Sequence, residues 1–102
     1  MTMLEFEEAI RTFQQVLEQQ PDNAAVWCSW GVALLELQRY EEAAEKFLEA
    51  VRHQPEFAVA WYGWGLALTA LQRKQEAAEK FRKSIELEPS FAKDSGGSEC
   101  PI

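Results

Sequence analysis

The chain repeats itself every 34 residues, and that period restricts its folding more than any other feature. Pro21, Pro55 and Pro89 fall in register, as do Trp27 with Trp61, Trp30 with Trp64, and Gly31 with Gly65. Ala43 meets Ala77, and Phe47 meets Phe81. Ala24–Pro55 and Ala58–Pro89 share 16 identities in 32 positions, more than two unrelated amphipathic segments would share. A unit of this length cannot bury an apolar face alone, so neighbouring units must stack to make a core.

Inside each unit the apolar residues recur at helical spacing. Trp27, Trp30, Leu34 and Leu37 make one face, which predicts a helix from Ala24 to about Leu37. Ala43, Phe47, Ala50 and Val51 make another, which predicts a second helix from Glu41 to His53. Asp22 or Asn23 can cap the first orphan amides. Pro55 and Pro89 end each second helix, because proline disfavours helical geometry in the residue before it. A glycine inside a helix costs about 1 kcal/mol relative to alanine. Gly31 and Gly65 therefore mark a close crossing, with Ala43 serving the same purpose from the facing helix.

A 34-residue period with these residues resembles the tetratricopeptide repeat, whose pattern is W-x2-L-G-x2-Y, then A-x3-F, then P. The first copy reads Trp27-x2-Trp30-Gly31-x2-Leu34, Ala43-x3-Phe47, Pro55. The second reads Trp61-x2-Trp64-Gly65-x2-Leu68, Ala77-x3-Phe81, Pro89. Both copies put Trp where the family has Leu and Leu where it has Tyr, and Ser84 replaces the small apolar residue kept as Ala50. Ala9-x3-Phe13 followed by Pro21 matches the second half of the pattern, with Phe6 aligned to Tyr40. The resemblance implies an all-α fold: a short right-handed α-solenoid of about five helices in the order B-A-B-A-B. A single domain is expected over 1–92, made of a half repeat (4–23), repeat one (24–57) and repeat two (58–91). Residues 93–102, polar and carrying Gly96-Gly97, are expected to form a flexible tail.

The charge balance narrows the partners. The net charge is −7. Residues 1–57 hold eleven acids and four bases, whereas 58–102 hold six of each, so the acidity lies in the N-terminal half. Such a surface repels phosphate backbones, and nucleic acid is not an expected partner. No apolar run is long enough to span a bilayer, so no membrane insertion is expected. Met1–Glu8 lacks the basic-then-apolar order of a signal peptide, and Cys28 and Cys100 have no disulfide-framework spacing. These features point to the cytoplasm.

No enzyme is expected, because no reactive groups converge. His53 is the single histidine and reads as a helix-end surface residue. Cys28 lacks a local base, and one histidine with two distant cysteines makes no zinc site, so neither metal nor cofactor is expected. Glu42 with Lys46 and Glu76 with Lys80 read as i,i+4 pairs on solvated helices. The Trp27/Trp30 and Trp61/Trp64 pairs each lie on one face and read as core rather than as an aromatic platform for a ligand.

In the family this chain resembles, the first helix of each repeat lines the concave surface. The corresponding positions are Ala25, Cys28, Val32 and Leu35 in one copy, and Val59, Tyr62, Leu66 and Thr69 in the other. None is the lysine, arginine or asparagine with which some relatives grip a terminal carboxylate. The groove should instead take an apolar or amphipathic segment of a partner protein, an expected protein–protein scaffold. A second reading is self-association as a homodimer or larger assembly through the two uncapped ends of the repeats, with Phe6, Ile10 and Phe13 of the half repeat as candidate contacts.

Overall fold

The computed structural model describes residues 2–91. Five α-helices follow one another: α1 (Met3–Gln19), α2 (Ala24–Glu36), α3 (Tyr40–His53), α4 (Ala58–Ala70) and α5 (Lys74–Leu87). The expected tail at 93–102, with Cys100, lies outside the described residues. Each helix packs on the next, and α2 also touches α4, which is the stacking a helical-repeat solenoid requires.

Local chemistry explains the helix ends. Thr2 and Glu5 form a capping box on α1: the Glu5 amide donates to Thr2 Oγ1 at 3.2 Å and the Thr2 amide to Glu5 Oε1 at 2.8 Å. On α2 the Val26 amide donates to Asn23 Oδ1 at 3.3 Å, so Asn23 rather than Asp22 is the cap. The register equivalent on α4 is Phe57, which offers no capping side chain and packs against the core instead. Between the helices of each repeat the chain turns through a left-handed residue, Gln38 (φ 62°) or Gln72 (φ 67°). The Gln38 amide then donates to Leu35 O and the Arg39 amide to Leu34 O, at 3.0 and 2.9 Å. Gln72 and Arg73 repeat this with Thr69 O and Leu68 O, a Schellman ending made with glutamine where glycine is usual.

The core centres on Phe47, which is fully buried together with Ala43, Ala50 and Ala60. The close crossing read from the sequence is a ring-on-glycine contact. A Cβ on Gly31 would stand 2.8 Å from Phe47 Cε1, and one on Gly63 would stand 2.5 Å from the same atom. Phe47 is thus clamped between α2 and α4, both of which must lack a side chain there. Gly65 gives the same room to Phe81, at 2.6 Å. Ser84 is fully buried, and its hydroxyl donates to Phe81 O at 2.7 Å, so the polar substitution leaves no orphan donor.

Two sequence expectations are corrected. The tryptophans are half-buried and pack against the core from its edge. Trp27 stacks on Trp30 at 5.7 Å and Trp61 on Trp64 at 5.5 Å. The Trp27 and Trp61 Nε1–H groups donate to Pro21 O and Pro55 O, each at 2.8 Å, and a buried indole could not reach those loop carbonyls. Lys46 and Lys80 do not join their i−4 glutamates in any ion pair among the described residues. Each lies over an indole instead, 4.2 Å from the Trp30 or Trp64 centroid, because the ring face lets the aliphatic stem lie on apolar surface.

Candidate functional site

The side-by-side helices α2 and α4 carry one charged residue between them, Glu36. Their packing faces are consumed by the core, so the remaining apolar residues face water. Val32, Val59 and Leu66 are 42%, 47% and 40% exposed. Ala25 and Thr69 are also exposed, and Leu35 is half-buried. Leu35 also packs against the core cluster, so of these six expected positions Ala25, Val32, Val59, Leu66 and Thr69 are the exposed ones. The Thr69 hydroxyl donates to Gly65 O at 2.9 Å, so it is spent on its own helix.

The remaining two positions differ from expectation. Tyr62 is half-buried, with its ring 5.3 Å from Phe81 and 5.7 Å from Phe91, and it closes the C-terminal end of the stripe rather than standing free in it. Cys28 is buried, 4% exposed, and belongs to the Phe47 core cluster. It cannot line a groove, because small Cys at this position lets neighbouring side chains close over it. Burial pushes its thiol up from 9.0 to about 11, so it stays protonated and unreactive at neutral pH.

The half-repeat residues are also placed. Phe6 and Phe13 are half-buried, while Ile10 packs against the core cluster. Met3 and Leu4, which sequence reasoning did not single out, are the most exposed large apolar residues described, at 67% and 63%. Their position ahead of the A-x3-F signature gave no periodic signal. His53 stacks on Trp27 at 6.4 Å and approaches Glu49 at 3.9 Å, a helix-end arrangement. Among the described residues no cluster of three or more His, Cys, Asp or Glu could hold a metal ion, and no helix is long and apolar enough to cross a membrane.

A sequence model of the tetratricopeptide repeat matches residues 1–55 and again 28–92. The chain belongs to the tetratricopeptide repeat family. Solved structures agree on the fold. The first such domain of Spaghetti (RPAP3), determined with the HSP90 peptide SRMEEVD, superposes with a TM-score of 0.82 at 26% identity, over 83% of this chain and 68% of that one. The tetratricopeptide domain of Arabidopsis OM64 gives 0.82 at 27% identity, over 84% and 71%. MamA gives 0.79 at 25% identity, over 87% of this chain but 52% of its own length. A comparison with curated protein sequences returns no match. The family is a protein-interaction scaffold and generally non-catalytic.

Proposed function

We propose that the chain binds an apolar or amphipathic segment of a partner protein along the face shared by α2 and α4. The exposure of Val32, Val59 and Leu66 on two helices with a single charge carries this reading. A helix laid there would anchor through residues at i, i+3 or i+4, and i+7. The Spaghetti domain was solved with SRMEEVD, a peptide with three acidic side chains. Neither α2 nor α4 has a lysine or arginine to receive such charge, which favours an apolar ligand over that type. Seven positions form the surface: Ala25, Val32, Leu35, Val59, Tyr62, Leu66 and Thr69.

Peptides selected from a random library on the intact chain test the reading. Apolar or amphipathic sequences should be recovered, and Val59→Glu with Leu66→Glu should remove their binding while the melting temperature holds. Both sites are exposed, whereas Tyr62 supports its neighbours and would confuse the result. Undiminished binding by the double variant, or recovery of acidic C-termini, would sink the groove assignment.

A second reading, self-association, rests on Met3 and Leu4 with half-buried Phe6 and Phe13 on α1. Light scattering over a range of concentrations should then show a mass above the monomer that Met3→Lys with Leu4→Lys lowers. A monomer throughout removes this reading.

A further inference from the structure

Successive second helices stand apart: among the described residues no Cα of α1 comes within 8 Å of one in α3 or α5, and none of α3 within 8 Å of one in α5. A furrow therefore runs between α1 and α3 over α2, and another between α3 and α5 over α4. The second holds a cavity of about 340 Å3. Its floor includes Trp64 and Leu71, its wall Ala44 and Leu48, and its rim Glu41 and Glu45 on one side with Arg73, Glu76 and Lys80 on the other. Leu68, also on the floor, lies two residues from Leu66, so the cavity opens on the side of α4 away from the proposed groove.

The first furrow serves as an internal comparison, 34 residues earlier. Ile10 stands where the second has Ala44, and it packs against the core. Arg11 stands in place of Glu45, and Gln14 in place of Leu48. Glu7, the counterpart of Glu41, is strapped to Arg39 at 3.6 Å. In the second furrow the counterpart of that arginine, Arg73, turns to Glu76 at 3.9 Å instead. Glu41 and Glu45 make no ion pair among the described residues. Lys80, the other nearby cation, lies on the Trp64 ring. One furrow thus pairs its carboxylate with its own arginine, and the other is open, with three carboxylates against two cations and with Glu41 and Glu45 outside any ion pair among the described residues.

We propose that the α3–α5 furrow receives an arginine side chain from a partner protein. Glu41 and Glu45 stand one helical turn apart on the same face, a spacing a planar guanidinium can bridge with several N–H donors. The aliphatic stem would lie on Leu48 and Leu71. An anion would meet the two free carboxylates, and an apolar side chain would strip them of water with nothing returned.

The test follows the indole N–H resonances of the 15N-labelled chain, assigned by Trp64→Phe and Trp30→Phe, during titration with N-acetyl-arginine amide. A saturable shift of Trp64 with Trp30 unmoved is expected, and N-acetyl-leucine amide should not reproduce it. Glu41→Gln with Glu45→Gln should weaken the binding about tenfold. Ala44→Ile, which copies the residue of the first furrow, should block it and keeps the test open if the glutamine variant fails to fold. Equal shifts at Trp30 and Trp64, a leucine derivative that binds as well, or full affinity in the folded variants would each overturn the proposal.

Discussion

Phe47 and Phe81 occupy the same place in their repeats, and each faces the glycine of its own first helix. Phe47 is fully buried because a second glycine helix, α4, closes over it. Phe81 has α4 on one side, with the Tyr62 ring 5.3 Å from its own, and it stays half-buried. Val51 is 6% exposed, while Ile85 at its counterpart is half-buried. Sixteen shared residues in 32 thus produce two environments, because a repeat buries its second helix only when another helix packs on the far side.

The largest effect should come from the two phenylalanines. Phe47→Ala removes a ring from a closed site and should cost ~3–5 kcal/mol of unfolding free energy. Phe81→Ala should cost about half as much, since its site is already partly hydrated. Urea denaturation of both variants measures the difference. Equal losses would mean that depth of burial does not separate the repeats.

Substituting the glycines sharpens the same contrast. Gly63→Ala drives a Cβ into a ring held on both sides, and should destabilise by about 1–3 kcal/mol despite the helix-propensity gain. Gly65→Ala meets Phe81, which can swing outward, so the propensity gain of ~1 kcal/mol should largely offset the clash. If Gly65→Ala melts as low as Gly63→Ala, Phe81 is held as firmly as Phe47.

Much of this was legible in the sequence, and the gaps have physical causes. The helix pairs and their boundaries to within a few residues followed from the 34-residue register and helical spacing, whereas the choice of Val32, Val59 and Leu66 as surface positions came from the family resemblance. Burial of Cys28 followed from neither, because it depends on which side chains of other helices fold over a small residue. The lysines were placed by spacing beside Glu42 and Glu76. Spacing cannot weigh an exposed carboxylate against an indole face, and a surface ion pair is worth so little that the indole wins. The α3–α5 cavity is set by the small side chain of Ala44, visible only by comparison with Ile10 one register earlier.

The lysine–indole contacts are alike in both repeats, each 4.2 Å from the ring, which makes them a control. Lys46→Met and Lys80→Met keep the stem and remove the charge. Each should lose about 0.5–1 kcal/mol, and by the same amount. Unequal losses in thermal melts would show that the difference between repeats reaches the edge of the core as well as its centre.

The smallest effect belongs to the turns, where the repeats should not differ at all. Gln38 and Gln72 hold nearly the same left-handed φ, 62° and 67°, and make the same two backbone bonds. A side chain in that region costs roughly 1–2 kcal/mol, and glycine avoids it while adding about 0.5–1 kcal/mol of unfolded-state entropy. Gln38→Gly and Gln72→Gly should therefore each stabilise by about 0.5 kcal/mol, and the double variant by about twice that, since the turns are separate. Equal, additive gains in urea midpoints would place the contrast between Phe47 and Phe81 in the helices stacked around them. A gain at one turn alone would mean that the neighbouring repeat also bears on the local backbone.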